Sequence, residues 1–377
     1  MHRYSTRIAA MLLLSLVPAT GWGQEVEPPP ISRPTLPETV VEAESSEPVS
    51  PQFDYVVPDR AFGAGAPIGR GQDLIGQTPS ASEGRFGQEQ LDFRPLNRAG
   101  DVLELIPGVI ATQHSGTGKA NQYFVRGINL DHGTDFALRV DGVPMNLPSH
   151  GHGQGYLDVN WLIPELVEAG DYKLGPYYAD VGDFSSAGSL DIRLRSTLPN
   201  GIATATAGAF DYYRVLVADS QQMGDGQLLY AYESIFYDGP WDLAEDFNKF
   251  NGLLRWSTGD EFDGFAITAQ GYRSYWNATN QIPQRAVDAG LIGRFGTLDP
   301  TDAGDTSRVG LNAQYWRDDC FATTRANAYV SYYDLDLFSN FTFFLDDPVN
   351  GDQIEQIDRR VYEGLNLSRQ YHAELAE

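Results

Sequence analysis

The sequence lacks several features that would have pointed to common classes of protein. Its 377 residues include one cysteine, Cys320, so an internal disulfide framework is excluded. Basic residues are scarce: 26 Lys and Arg against 51 Asp and Glu give a net charge of −25, which argues against nucleic acid as a partner. No G-x-S-x-G or H-E-x-x-H motif is present, so a hydrolase is disfavoured, and we expect neither enzymatic activity nor a cofactor.

The N-terminus has the features of an export signal. Arg3 and Arg7 precede a mostly apolar run over residues 8–17, and small residues follow it. The run is too short to span a bilayer, so residues 1–23 are interpreted as a secretory signal peptide. No later stretch approaches 18 uninterrupted apolar residues, which leaves a soluble exported protein or a β-barrel.

Residues 24–70 are rich in Pro and Glu and are predicted to be extended, because such a composition cannot bury a core. Within them stands a short island with three β-branched residues in a row: Glu38, Thr39, Val40, Val41 and Glu42. The island is either a chance cluster in a linker or a strand that adds to the sheet edge of a partner protein.

Residues 71–198 are predicted to form a compact α+β unit. Segments 123–126, 136–140 and 190–194 read as strands, and Asp141-Gly142 is a hairpin signal.

From residue 199 onward, apolar and polar residues alternate in about eight strands. Tight turns near 224–226, 258–260 and 317–319 interleave with long polar loops near 238–247, 275–305 and 338–358. A soluble sandwich would also alternate, but short turns at one end and long loops at the other are typical of a transmembrane β-barrel.

Several segments resemble, in the same order, the signatures of the TonB-dependent outer-membrane receptors. These are Ile106-Pro107-Gly108-Val109, Phe124-Val125-Arg126-Gly127, Val140-Asp141-Gly142-Val143-Pro144, Ile163-Pro164-Glu165-Leu166, Leu174-Gly175-Pro176 and Gly188-Ser189-Leu190-Asp191-Ile192. The resemblance implies an α+β plug domain at 71–198, followed at 199–377 by antiparallel transmembrane β-barrel strands. Because the family's barrels are of the 22-stranded type, we expect the barrel to be incomplete in this chain and the chain to be a fragment of a longer receptor.

The resemblance also implies a function and its partners. It implies active transport of a scarce ligand, an iron chelate or another metal-linked compound, across the cell outer membrane. Residues Glu38 to Glu42 would be the TonB box, within a periplasmic segment. The expected partners are the TonB complex of the inner membrane, outer-membrane lipid and an extracellular small ligand. The alternative is a passive surface-binding or adhesion barrel, which would not need the box.

Four of the six histidines fall between residues 114 and 152, two of them in a Gly-rich run. The ligand-binding candidates are Asp131, His132, Asp135, His150 and His152. His150 and His152 are also candidate metal ligands, since neutral imidazole is a common ligand of transition metals. The competing interpretation is a plug loop whose histidines only form hydrogen bonds.

Overall fold

The computed structural model describes residues 82–177 and 179–371, except the side chain of Asp180. All of these residues belong to one compact unit of the chain. The predicted signal peptide and the predicted TonB box lie outside the described residues. Within the described ranges, no helix has the length and apolar character needed to cross a membrane.

The first part of the described chain is an α+β domain with short elements. Its strands are β1 (Glu83–Phe86), β2 (Val109–Thr112), β3 (Gln122–Val125), β4 (Ile128–Asn129), β5 (Phe136–Val140), β6 (Val143–Pro144), β7 (Val167–Lys173) and β8 (Gly188–Leu194). Helix α1 spans Gln88–Phe93, and short 3₁₀ helices span Ala99–Leu105, Pro164–Leu166 and Ala179–Val181.

Two sheets organise this domain. One has the order β1-β7-β8-β5-β6, in which β5 and β8 run parallel and the other neighbours are antiparallel. The other is the small antiparallel sheet β2-β3-β4. Strand β5 is almost entirely buried, as expected for a strand inside a sheet that is covered on both faces.

The second part is one antiparallel sheet of eight strands in sequence order. The strands are β9 (Ile202–Ala207), β10 (Tyr213–Met223), β11 (Gly226–Tyr237), β12 (Phe247–Gly259), β13 (Asp263–Asn277), β14 (Ala303–Asp318), β15 (Ala322–Ser339) and β16 (Ile354–Tyr371). The loop between β13 and β14 contains helix α2 (Gln284–Asp288). β9 and β16 are the two edges of the sheet, so it is not closed within the described chain.

The predicted strands and loop asymmetry are confirmed, with longer strands at the long-loop end. β13 continues to Asn277, whereas the alternation had predicted an end near 274, and β16 begins at Ile354 rather than near 359. The domain boundary at 198/199 stays a prediction; β8 ends at Leu194 and β9 begins at Ile202, on either side of it.

The alternation in β12 separates a face turned towards the α+β domain from an outer face. Lys249, Asn251 and Arg255 are buried, whereas Leu254 is 55% exposed. Leu253, which breaks the alternation by placing an apolar side chain on the polar face, is buried in the hydrophobic core of the α+β domain. The inner face is therefore polar where it meets polar groups and apolar where it meets the core.

Candidate functional site

Four histidines from three segments of the α+β domain lie together: the rings of His132, His150 and His152 contact Tyr156, and that of His114 contacts His132. His114 follows β2, His132 follows β4, and His150 and His152 lie in the loop after β6. The ring centroids of His114 and His132 are 5.3 Å apart, and those of His132 and His152 are 4.8 Å apart. We call these four side chains the imidazole cluster.

His132 is fixed by main-chain carbonyl groups. Its Nδ1 lies 3.0 Å from the carbonyl oxygen of Ala120 and 3.1 Å from that of Asn121. A carbonyl oxygen only accepts hydrogen bonds, so Nδ1 carries the proton and Nε2 is left with a free lone pair. Burial, with the nearby charge of Lys119, lowers the pKa of His132 to about 2, so the ring is neutral at physiological pH.

His150 joins the loop to the eight-stranded sheet β9–β16, which we call the barrel sheet. Its ring is stacked on Tyr156, with centroids 4.0 Å apart and planes 6° from parallel. Its Nδ1 accepts a hydrogen bond of 3.1 Å from the main-chain N–H of His152. Nε2 therefore carries the proton and lies 3.3 Å from Oη of Tyr333 in β15 and 3.8 Å from a carboxylate oxygen of Asp358 in β16. Both nitrogens of His150 are thus occupied.

His152 contacts the same edge of the barrel sheet. Its Nδ1 lies 2.5 Å from Oε1 of Gln356, and Nε2 of Gln356 donates to the carbonyl oxygen of Gly151 at 3.1 Å. The Gln356 oxygen is therefore the acceptor, Nδ1 of His152 is the donor, and Nε2 of His152 has a free lone pair. Arg360 also donates to the carbonyl oxygen of Ser149, so the whole loop is held against β16.

Burial lowers the pKa of every ring in the cluster. The pKa of His150 is lowered to about 4, mainly by burial and partly offset by Asp358, and burial also lowers the pKa values of His114 and His152. The cluster is therefore neutral at pH 7.

The structure brings together four of the five predicted ligand-binding residues. His132, His150 and His152 form the cluster with His114, and Asp131 places a carboxylate oxygen 3.6 Å from Nε2 of His132. Asp135 is placed differently: its carboxylate accepts a hydrogen bond from Ser186, and its carbonyl oxygen accepts one of 2.9 Å from Ala187, so it fastens the entry to β8.

The predicted metal ligands, His150 and His152, lie close together but differ in whether a ring nitrogen is free to bind a metal ion. Nδ1 of His150 already accepts a hydrogen bond, whereas Nε2 of His152 is free. Among residues 82–177 and 179–371, no three or more His, Cys, Asp or Glu side chains are arranged to hold a metal ion. Metal ligation by this pair stays a prediction.

Sequence reasoning missed Lys119, which lies beside the cluster. It is 1% exposed, and burial lowers its pKa to about 8. It follows Gly116-Thr117-Gly118, and a Cβ at Gly118 would lie only 2.1 Å from the ring of Trp276 in β13. The sequence signal for this residue was the Gly-rich segment directly before it, since Lys119 is one of only three lysines in the chain.

The cluster lies at the long-loop end of the barrel sheet. The main-chain N–H of Thr117 donates to Glu245, which lies in the loop between β11 and β12. Trp276 is at the end of β13, and Gln356 is at the start of β16. Each of these barrel residues lies within or next to a long loop.

The opposite end of the domain is fixed to the barrel by the hairpin at Asp141. Asp141 and Gly142 have φ values of +50° and +80°, as a type I′ turn requires. The Asp141 carboxylate contacts Nη1 of Arg255 in β12 at 2.5 Å. Its carbonyl oxygen lies 3.1 Å from the side-chain nitrogens of three residues in β14 and β15: Asn312, Gln314 and Asn327. One hairpin tip thus contacts three barrel strands.

A chain of alternating charges makes a third connection. Arg214 in β10 donates two hydrogen bonds, of 2.7 and 2.8 Å, to Glu165 of the α+β domain. It also contacts Glu233 in β11, which pairs with Lys249 in β12 at 2.7 Å. Glu233 is 1% exposed, so this network is almost dry at its centre.

Comparison with known proteins finds a family match for the first part of the chain and a similar fold for both parts. The model of the TonB-dependent receptor plug domain matches residues 76–189. The ferric yersiniabactin uptake receptor FyuA from Yersinia pestis has a similar structure, with a TM-score of 0.59 and 13% identity over 79% of this chain and 46% of that one. The ferric citrate transporter FecA gives a TM-score of 0.56 at 16% identity, over 80% of this chain and 49% of that one.

The ferric-catecholate import receptor Fiu from E. coli K12 is similar in the same way, with a TM-score of 0.56 and 15% identity over 78% of this chain and 44% of that one. At these identities the likeness concerns the fold, and the chain spans about half the length of the solved structures it matches. Residues 76–189 are therefore a TonB-dependent receptor plug domain, and the chain has the fold of such a plug followed by part of a β-barrel.

Proposed function

We propose that the receptor imports a scarce small ligand, an iron chelate or another metal-linked compound, across the outer membrane by TonB-dependent active transport. The observation that carries this proposal is the attachment of the plug to the inner face of the barrel strands at both ends, through Asp141 and through the histidine loop. A plug held in this way blocks a path along that face, so transport requires it to move, and the movement must be driven.

The outer faces of the strands support a membrane location. Val309, Leu311, Val330 and Tyr332 are all more than 40% exposed on neighbouring strands. Such a band of exposed apolar side chains suits contact with lipid. The long loops at the opposite end from the tight turns then face outward, and the imidazole cluster faces the incoming ligand.

The ligand class is supported by the solved structures of similar fold, whose names specify ferric yersiniabactin, ferric citrate and ferric catecholate. The residues proposed to meet such a ligand are His132 and His152, and Asp131 is proposed to lie at the solvent side of their site. Asp135 and His150 are proposed to shape the site rather than to touch the ligand, because their polar atoms already have partners within the protein.

The TonB box decides between active import and passive binding. Deletion of residues 38–42 should abolish uptake of radioactive iron supplied as ferric citrate or ferric catecholate, while binding of the same chelate to the cell surface is unchanged. Deletion of residues 44–48, of equal length and in the same Pro- and Glu-rich segment, is the control. Undiminished uptake after the first deletion would contradict active import and favour a passive barrel.

A further inference from the structure

Lys119 is a buried cation without a counter-charge in contact. Its side chain makes no ion pair and no hydrogen bond with any residue in the described part of the chain, although only 1% of the residue is exposed. Asp131 acts on it from a distance, raising its pKa, but burial is the larger effect. A buried ammonium without such a partner is costly, so the site has an unmet preference for negative charge.

The imidazoles around Lys119 cannot supply that charge. Lys119 lowers the pKa of His114, His132 and His152, which shows that its charge is felt by all three rings. Neutral imidazoles offer only lone pairs and N–H groups. The cluster therefore lies near a cation without neutralising it.

Two of the imidazole lone pairs accept no hydrogen bond from the described residues. Nε2 of His132 and Nε2 of His152 are bare because the opposite nitrogen of each ring donates to a carbonyl or amide oxygen. Nε2 of His132 lies 3.6 Å from a carboxylate oxygen of Asp131, so two acceptors face one another. A hydroxyl group brought by a ligand could donate to either acceptor.

Solvent reaches the edge of the site at Asp131 and His152. The side chain of Asp131 is 58% exposed and His152 is half-buried, whereas Lys119 and the side chain of His132 are 1% and 3% exposed. A small ligand therefore meets Asp131 first and reaches Lys119 and His132 only when the surrounding side chains move.

We propose that Lys119 and the Nε2 atoms of His132 and His152 form a binding site for a small oxyanion that also carries hydroxyl groups, such as a hydroxycarboxylate. Lys119 binds the anionic oxygen, and the two imidazoles accept hydrogen bonds from the hydroxyl groups. This inference rests on the proposed function for the idea that the ligand is then carried inward, whereas binding itself can be measured independently of transport.

A divalent metal ion suits the same atoms less well. It would lie beside the ammonium group of Lys119, and the described residues provide no set of three or more donors arranged around one point. The two ligand classes also respond oppositely to Asp131. Its carboxylate repels an anion and would attract a metal ion.

The test uses the protein purified from outer membranes in detergent, with citrate and tricarballylate as probes. Tricarballylate has the three carboxylates of citrate but lacks its hydroxyl group. We expect citrate to bind about tenfold more tightly than tricarballylate, since a site with unpaired acceptors rejects the analogue that lacks the donor. Titration calorimetry and tryptophan fluorescence, to which Trp276 beside Gly118 contributes, can both follow binding.

Two variants test the roles of the charges. Lys119→Met should weaken the binding of both probes by about 10- to 100-fold, with an unchanged or raised melting temperature, because it removes an uncompensated buried charge. Asp131→Asn should tighten binding. Lys173→Met, on strand β7 of the plug, is the matched control and should leave binding unchanged.

Unaltered affinity in Lys119→Met, or equal affinity for the two probes, would overturn the proposal. The proposal would also be overturned if Zn²⁺ binds and citrate does not, and if Asp131→Asn weakens the binding of Zn²⁺. If citrate binds as expected but uptake survives deletion of residues 38–42, the oxyanion site stands and active import fails.

Discussion

Oδ2 of Asp141 lies 2.5 Å from Nη1 of Arg255, although 114 residues separate the two in the chain. Both side chains are 5% exposed, so this ion pair is closed off from solvent on the plug side and on the barrel side. The pair therefore couples the position of the plug hairpin to the barrel wall.

Asp141→Asn should loosen the hairpin at residues 141 and 142. Asn keeps the shape of the side chain but leaves Arg255 buried without a counter-charge, a change that costs about 3–5 kcal/mol. Hydrogen exchange of the amide of residue 141, which donates to the carbonyl oxygen of Ile192, measures this locally. The double variant Asp141→Asn/Arg255→Met should recover most of the protection. Equal exchange in all the variants would show that the pair does not hold the hairpin.

The two carboxylates bound to Arg214 should contribute unequally. Glu233→Gln leaves Lys249 unpaired, and the Lys249 side chain is 6% exposed, so we expect a loss of about 3 kcal/mol or more. The side chain of Glu165 is 32% exposed, and Arg214 retains Glu233 when Glu165 is replaced, so Glu165→Gln should cost about 1 kcal/mol or less. Urea unfolding compares the two variants, and a larger effect of Glu165→Gln would contradict this ranking.

Gly118→Ala should displace the segment that carries Lys119. The added Cβ would lie 2.1 Å from the ring of Trp276, and such overpacking costs about 1–3 kcal/mol. A lowered melting temperature and a changed Trp fluorescence spectrum are expected. Gly271→Ala is the control, since a Cβ there meets no atom within 4 Å. Similar effects at both positions would exclude the close contact as the cause.

The plug should lose stability as the pH falls below about 6.5, the usual pKa of an unfolded histidine. Burial lowers the folded-state pKa of His150 to about 4 and that of His132 to about 2. Between the unfolded and folded pKa values the unfolded state binds more protons, so each histidine contributes stability above pH 6.5. That contribution falls by up to about 1.4 kcal/mol per pH unit.

His150→Gln removes one of these titrating groups while keeping an amide donor. Plug stability in this variant should depend less steeply on pH between about 6.5 and 4, as measured by urea unfolding over a pH series. A pH dependence identical to that of the unaltered protein would show that His150 is not buried in its neutral form.

The sequence supports prediction of the local elements. Alternation along Phe250, Leu254 and Trp256 predicts an outer face because successive strand residues point to opposite sides. Asp141-Gly142 predicts its turn because both residues tolerate positive φ.

Long-range pairing was beyond the same reasoning. Glu165 and Arg214 are 49 residues apart, and His152 and Gln356 are 204 residues apart. His150 and His152 differ in which ring nitrogen carries the proton. For His152 this is decided by the contact of its Nδ1 with Gln356, which lies in β16. The close approach of Trp276 to Gly118, the neighbour of Lys119, is likewise a long-range contact that neither segment indicates by itself.

The strands of the barrel sheet lengthen steadily, from 6 residues in β9 to 18 in β15 and β16. A strand of 18 residues tilted by about 45° rises roughly 43 Å, whereas the hydrocarbon core of a bilayer is about 30 Å thick. In the proposed membrane setting, β15 and β16 therefore extend beyond the hydrocarbon core into the headgroup layer on one flank of the mouth. Water competes for the hydrogen bonds of their outermost amide pairs, so exchange with solvent should begin there and proceed towards the hydrocarbon core.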